Sequence, residues 1–151
     1  MKRFLFMLLV LALLGGTAYA GTVSQEILAE TTLDDTAGCC HSTAVNIQDY
    51  YKVAFFVTYD EADLGAALSL TMTVQISYDG VNWRDTGFYD YDINTAVATA
   101  RRKVIMTCPR IYYCWLDLEV TTVPQVRLVF SATGEDATHI ATISADVVGT
   151  R

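Results

Sequence analysis

Apolar and polar residues alternate without a break from Leu68 to Tyr78. The apolar positions are Leu68, Leu70, Met72, Val74, Ile76 and Tyr78, and the polar ones are Ser69, Thr71, Thr73, Gln75 and Ser77. A period of two over this length predicts a β-strand with one buried face and one solvated face. The chain therefore contains at least one strand that packs on a hydrophobic core.

The dipeptide Asp79-Gly80 follows this strand directly and predicts a hairpin that ends near Arg84. A type I′ turn requires positive φ at both central residues, and Asp-Gly is one of the pairs that adopt it most readily. Such a turn would pair Ile76 with Trp83 across the hairpin. The returning strand would then bury Trp83 on the same face as the apolar residues of the first strand.

Other alternating segments predict strands at 50–59, 104–108, 111–122, 125–133 and 139–147. Residues 21–33 are predicted to form either an edge strand or an arm that pairs with a neighbouring subunit. Ala54 and Phe56 make the second face of strand 50–59 partly apolar, so a central position is predicted for that strand. Residues 89–102 are predicted to be the longest irregular stretch, in which residues 96–100 form either a short helical turn or an extended piece.

These segments amount to seven to nine strands at spacings of about 10 residues, with turn residues between them. The pattern predicts an all-β fold, a single antiparallel two-sheet β-sandwich, and both immunoglobulin-like and jelly-roll topologies are compatible with it. No linker or internal repeat interrupts the pattern, so one domain is predicted over residues 21–151.

Residues 1–20 have the features of a signal peptide. Lys2 and Arg3 precede an apolar run, and Ala18-Tyr19-Ala20 is a small-residue cleavage site. The apolar run is shorter than a membrane-spanning helix requires. We therefore expect a secreted, periplasmic or cell-surface protein that is not held in a membrane after cleavage.

The charge balance disfavours nucleic acid as a partner. Removing Lys2 and Arg3 from the 10 basic residues leaves 8 against 17 acidic residues, a formal charge of −9. An acidic surface repels nucleic acid and anionic membranes.

Four cysteines, Cys39, Cys40, Cys108 and Cys114, lie outside the predicted signal peptide. An even number of cysteines in an exported domain predicts disulfide bonds. A bond between the adjacent Cys39 and Cys40 would be strained, so each is predicted to pair with Cys108 or Cys114, in either combination. A bridge that closes a loop of about 70 residues stabilises the fold by roughly 4 kcal/mol in the chain-entropy model. Intermolecular bridges and a metal site that includes His41 are the alternatives.

Two groups of residues are candidate binding sites. Asp90, Asp92 and Asn94 supply oxygen ligands at alternating positions of a predicted loop, which makes them a candidate calcium site, although an acidic loop without metal has the same pattern. The aromatic side chains predicted to be exposed are Tyr89, Tyr91, Tyr113 and Trp115, and such rings stack on sugars or pack at protein interfaces. Apart from calcium, no cofactor is expected.

No catalytic residues are predicted. The sequence contains two histidines, His41 and His139, and neither lies in a nucleophile motif such as G-x-S-x-G. Paired carboxylates such as Asp117 and Glu119 are also typical of solvated acidic surfaces.

Two short stretches resemble known protein families. Ser77-Tyr-Asp79-Gly80-Val-Asn82-Trp83 is similar to the Asp-box turn of sialidase-like propellers, but it occurs once and is one residue shorter between Asp and Trp. Together with Val-Pro-Gln-Val-Arg-Leu at 123–128, this hairpin resembles small β-sandwich modules of phage virions. The resemblance implies a non-enzymatic decoration or tail module, whereas a signal peptide is not typical of virion subunits.

Three functions follow from these observations. The first is an exported, non-catalytic structural subunit that self-assembles as a homo-oligomer or polymer, for example in a filament or surface layer. The second is a secreted module that binds a glycan or another cell-surface ligand. The third is a virion-type decoration or adhesion module.

Overall fold

The alternating segments form β-strands in the computed structural model, which describes residues 21–33, 39–61, 69–92, 95–106, 110–116, 125–133 and 141–150. The strands are β1 (Thr22–Leu33), β2 (Cys39–His41), β3 (Val45–Asn46), β4 (Lys52–Glu61), β5 (Ser69–Ser77), β6 (Arg84–Thr86), β7 (Phe88–Asp92), β8 (Val97–Arg101), β9 (Lys103–Met106), β10 (Arg110–Leu116), β11 (Gln125–Thr133) and β12 (Ala141–Thr150). The described residues contain no helix.

The strands form two antiparallel sheets that pack on each other. Sheet A has the order β1-β12-β4-β10-β7-β8, and sheet B has the order β2-β11-β5-β6. In sheet B, β3 extends the β2 side of β11, and β9 extends the β6 side of β5. The predicted all-β, two-sheet sandwich is therefore confirmed.

The core lies between the two sheets. In sheet A the central strand β4 buries Val53, Phe55, Val57 and Tyr59, and in sheet B strands β5 and β11 bury Leu70, Met72, Val74, Val126, Leu128 and Phe130. These residues are the alternate positions that the period of two assigns to one face. Full burial of such a side chain stabilises the fold by roughly 1.5–3 kcal/mol, so the core drives association of the sheets.

The turn after β5 differs from the predicted type I′ turn. Of its two central residues only Gly80 has positive φ, at 74°. The carboxylate of Asp79 instead accepts hydrogen bonds from the backbone N–H groups of Val81 (2.9 Å) and Asn82 (2.7 Å). Ser77 Oγ accepts from the N–H groups of Asp79 (3.3 Å) and Gly80 (2.9 Å). Side chains thus close a wider loop over residues 78–83.

This wider loop changes the register of the hairpin. Ile76 pairs with Arg84, and the predicted pairing of Ile76 with Trp83 is wrong. Trp83 is half-buried outside the core, where its ring lies under the guanidinium of Arg127. The prediction is wrong because the side chains of Ser77 and Asp79 accept hydrogen bonds from the backbone N–H groups of the loop. These bonds stabilise a longer loop in place of a two-residue turn.

Residues 89–102 also differ from their prediction, since most of them are strands rather than an irregular stretch. Of the two alternatives for residues 96–100, the extended one is confirmed from Val97 onward. Strands β7 and β8 form a hairpin at the edge of sheet A, with Tyr89 opposite Ala100 and Tyr91 opposite Ala98. Ala96 has a positive φ of 54° in the connecting turn. Every residue of β8 is exposed. Because neither face of β8 is buried, its sequence does not need the alternation of apolar and polar residues that predicts a strand.

Several predictions concern residues outside the described ranges. The signal peptide at 1–20, residues 117–122 of the predicted strand 111–122, and His139 all lie there, so these predictions stay untested. In the part of the chain that the structure describes, no helix is long and apolar enough to cross a membrane.

Candidate functional site

The outer face of sheet A carries five aromatic side chains side by side. We call Phe56, Tyr89, Tyr91, Tyr113 and Trp115 the aromatic face. The strand register explains why these side chains lie next to one another, because residues paired directly across a sheet point to the same side. Trp115 pairs with Tyr89 and with Ala54, and Tyr113 pairs with Tyr91 and with Phe56. Two parallel rows of side chains therefore run across β7, β10 and β4.

The rings contact one another throughout the aromatic face. Tyr89 stacks on Trp115 with centroids 5.5 Å apart and planes 18° apart. Tyr91 meets Tyr113 edge-on at 5.9 Å and 89°, and Phe56 lies 4.9 Å from Tyr113. Such pairs contribute about 0.5–1.5 kcal/mol each beyond the area that they bury. The rings thus hold each other in fixed orientations before any ligand arrives.

The aromatic face is open to solvent. Its tyrosines and tryptophan are half-buried, and Phe56 is 38% exposed. The rings border a shallow depression of about 680 Å³, whose other walls include Tyr51, Lys52, Val148 and Thr150. Tyr51 stands at its rim with 78% of its surface exposed. An open apolar depression with a few polar groups is typical of binding surfaces.

The charges around the aromatic face are mostly acidic. The row through Phe56 continues to Asp146 on β12 and then to Glu26 on β1. Lys52 on the wall of the depression is a cation beside the rings. The site is therefore apolar in the centre and charged at the rim, as protein interfaces commonly are.

The four aromatic residues predicted as a binding site are thus brought together by the fold. Phe56, Tyr51 and Lys52 were missed as site residues. The signal for Phe56 was present, since it lies on the partly apolar second face of β4. That signal indicated a central strand and did not reveal which neighbours stand beside it.

The candidate calcium residues are placed differently from expectation. Asp90 and Asp92 lie in strand β7 and not in a loop, and Asn94 lies outside the described residues. Asp90 Oδ2 accepts a hydrogen bond from Arg101 Nε at 3.2 Å, which is also an ion pair. No group of three or more histidine, cysteine or acidic side chains suited to a metal ion occurs within the described ranges. Calcium binding by this segment remains an untested prediction.

The cysteines are divided between the two sheets. Cys114 points into the core from β10 in sheet A, and Cys39 and Cys40 belong to β2 in sheet B. Cys114 is a buried thiol without a disulfide bond, contrary to its predicted pairing with Cys39 or Cys40. Burial and the nearby charge of Asp90 raise the pKa of this thiol far above its usual range. Cys108 and the side chain of Cys39 lie outside the described residues.

The comparisons with known proteins support the fold and no more. No protein family and no curated protein matches this sequence. Among solved structures, the SPBc2 prophage-derived protein YomS is similar, with a TM-score of 0.57 and 8% sequence identity. The similarity covers 87% of this chain and 94% of YomS. The sandwich is therefore shared with a prophage-derived protein over almost the full length of that protein.

Proposed function

We propose that this protein is an exported, non-catalytic structural subunit that associates with copies of itself or with other subunits through the aromatic face. A virion-type decoration or adhesion module is the alternative. The observation that carries the proposal is the contiguous array of five aromatic rings on the outside of sheet A. Solvated sheet faces are ordinarily polar, so an aromatic one indicates a partner.

The contacts of Ser42 and His41, a serine and a histidine adjacent in sequence, support a structural role over a catalytic one. Ser42 is buried, donates to the backbone oxygen of Thr43 (3.0 Å) and accepts from Leu128 N–H (3.0 Å), so its hydroxyl joins a loop to β11. The ring of His41 contacts the backbone oxygen of Ser42 at 3.3 Å. The shared sandwich of a prophage-derived protein also agrees with the virion-type alternative.

Fluorescence provides a direct test, because the chain contains two tryptophans, Trp83 and Trp115. A Trp83→Phe variant leaves Trp115, at the centre of the aromatic face, as the sole tryptophan reporter. If the aromatic face is buried on association, the emission of Trp115 shifts to the blue as protein concentration rises. Sedimentation velocity on the same samples reports whether the shift follows association.

The matched control is a Trp115→Phe variant, in which Trp83 reports from the other sheet. Its emission should not change with concentration. A Trp115 signal that stays constant while the protein associates would overturn the assignment of the aromatic face. Two results together would overturn the structural role: the protein stays monomeric at every concentration, and electron microscopy of the native material shows isolated particles without a partner.

A second candidate function is carbohydrate binding at the same face. The near-parallel Tyr89 and Trp115 rings border a depression that also contains Lys52 and Thr150, and this combination favours stacking with polar contacts to a sugar ring. The single-tryptophan variant distinguishes the two functions. A sugar ligand would shift Trp115 emission at constant, low protein concentration, and Trp115→Ala would abolish binding on a glycan array.

A further inference from the structure

A second depression lies at the corner where the chain passes from sheet A to sheet B. Strand β8 ends at Arg101 in sheet A and β9 begins at Lys103 in sheet B, so Arg102 alone connects them. The depression measures about 460 Å³ and lies between the end of β8, the first part of β9 and the start of β10. We call it the corner depression.

The walls of the corner depression are basic. They carry four cations, Arg101, Arg102, Lys103 and Arg110, and one carboxylate, Asp90. Of the 10 basic residues of the chain, 2 lie in the predicted signal peptide, so these four are half of the remaining 8, in a chain with 17 acidic residues. A depression lined by one sign of charge attracts the opposite sign, so its lining indicates a site for an anion.

Two of the cations are available to a ligand. Arg102 and Lys103 are exposed. Neither has a carboxylate within ion-pair distance among the described residues. In a chain with twice as many acidic as basic residues outside the predicted signal peptide, cations without an internal partner favour a binding role over a role in the stability of the fold.

The other two cations are held in place. Arg101 donates from Nε to Asp90 Oδ2 at 3.2 Å and keeps 48% of its side chain exposed. The guanidinium of Arg110 lies 4.3 Å from the centre of the Tyr112 ring. Because Asp90 offsets the charge of Arg101, the excess of positive charge comes from the other three cations. Side chains that are already fixed lose less entropy when a ligand binds.

One wall of the corner depression is apolar. It is formed by Ala100, Val104 and Ile105, and Ile105 is 54% exposed. A free inorganic anion makes no use of apolar surface, whereas an organic group buries it. The volume also lies in the range of about 300–1,000 Å³ that is typical of small-molecule sites. The corner depression therefore has room for an anionic group and the organic part that carries it.

We propose that the corner depression binds a small organic oxyanion, a phosphate ester or a carboxylate. Its oxygens lie among the cations, and its organic part lies against Ile105. Arginine binds both kinds of oxyanion through paired N–H donors. A compact ligand is favoured over an extended polyanion, because the acidic remainder of the chain repels the latter. The corner depression shares no residue with the depression at the aromatic face, so this inference does not rest on the proposed function.

The test is a titration followed by the NMR shifts of the backbone amide groups, in a phosphate-free buffer. We expect phenyl phosphate and benzoate to shift the amides of residues 100–105, and the one that binds more tightly identifies the preferred oxyanion. Phenol, which has the ring without the charge, should leave these amides unchanged. If neither anion shifts them, or if phenol shifts them equally, the site is overturned.

Inorganic phosphate tests the organic part of the ligand. It should bind more weakly than phenyl phosphate, because it makes no contact with Ile105. Ile105→Ser should remove that difference. If inorganic phosphate binds as tightly as phenyl phosphate to the native protein, the organic part of the proposal is overturned.

Charge variants test the position of the site. Arg102→Gln and Lys103→Gln should each raise the Kd for phenyl phosphate about tenfold, since each removes one charge-assisted contact. Arg84→Gln, the matched control, removes an exposed cation outside the corner depression and should leave the Kd unchanged. An equal loss of affinity in all three variants would show general attraction to positive charge and would overturn the site.

Two measurements separate this site from the aromatic face. Trp115→Ala should leave the Kd for phenyl phosphate unchanged, whether or not it abolishes association. Sedimentation velocity without added anion should show the same association for Lys103→Gln and the native protein. If Lys103→Gln weakens association, the corner depression binds acidic residues of a second copy, and the small-ligand proposal is overturned.

Discussion

The guanidinium of Arg127 lies 4.2 Å above the ring of Trp83, and its Nε and Nη2 atoms both donate to Gln75 Oε1, at 3.0 and 2.8 Å. Gln75 in turn donates to Asp85 at 2.9 Å. The contact joins β11, β5 and the loop after β5 on the outer face of sheet B. It keeps the loop over residues 78–83 attached to the sheet.

Replacing Arg127 should therefore loosen this loop. We expect Arg127→Ala to lower the free energy of unfolding by about 1–2 kcal/mol, from the stacking and the hydrogen bonds together. Arg127→Lys should recover less than half of this, because lysine lacks the planar fork. Urea denaturation measures the free energy of unfolding of both variants. Arg102→Ala, at an exposed bend, is the control. Equal stability of the alanine variant and the native protein would contradict this role.

The carboxylate of Asp79 should make stability depend on pH. Hydrogen bonds from Asn82, through its backbone N–H and then its side chain, and from Val81 hold the pKa of Asp79 well below its usual value. Because folding lowers this pKa, the ionised carboxylate of Asp79 contributes fully to the free energy of unfolding above its unfolded-state pKa of about 3.9. The contribution is lost as the pH falls from there toward the pKa of the folded state.

We expect Asp79→Asn to be less stable than the native protein at pH 7, and the difference between their urea midpoints to narrow below about pH 4. Asp49→Asn removes the same charge from an exposed turn and serves as the control. A difference that is the same at pH 7 and pH 3 would show that the ionised carboxylate does not stabilise the loop.

Gly149 should not tolerate a larger residue. The ring of Tyr50 lies against its backbone, and a Cβ atom at position 149 would overlap Cδ1 and Cε1 of that ring. We expect Gly149→Ala to destabilise the fold by about 1–3 kcal/mol through overpacking. In Gly87→Ala the nearest atom lies 3.7 Å from the new Cβ, so that control should stay within about 0.5 kcal/mol.

A double variant tests the cause. If overlap with the ring is responsible, Tyr50→Ala should make the additional Gly149→Ala change nearly neutral. If Gly149→Ala destabilises the Tyr50→Ala variant as much as it destabilises the native protein, the cause is the backbone of β12 and not the ring of Tyr50.

The thiol of Cys114 should be unreactive in the folded protein. Its burial and raised pKa keep it protonated and shielded, so iodoacetamide at pH 8 should label it only after unfolding. Peptide mass mapping under non-reducing conditions measures the labelling and shows whether a disulfide is present. Detection of Cys114 in a disulfide with Cys39 or Cys40 would contradict the free thiol and confirm the pairing that the sequence predicts.

The class of fold could be predicted from the sequence alone. Alternation in segments such as 125–133 specifies both a strand and its buried face, because the side-chain period of a strand is two and one face must leave water. The four aromatic residues of the candidate site were also recognisable, since they fall on the faces that the pattern leaves outside. These are local properties that each segment carries alone.

The neighbours of each strand could not be predicted in this way, because they depend on the tertiary structure. Which strands are neighbours, and therefore that Phe56 lies beside Tyr113 and Tyr89 on Trp115, depends on long-range pairing that no single segment encodes. The loop at Asp79 and the position of Trp83 were likewise decided by side-chain hydrogen bonds and by Arg127, which is distant in sequence. An edge strand such as β8 leaves little hydrophobic signal because both its faces stay in water, so only its pairing with β7 identifies it.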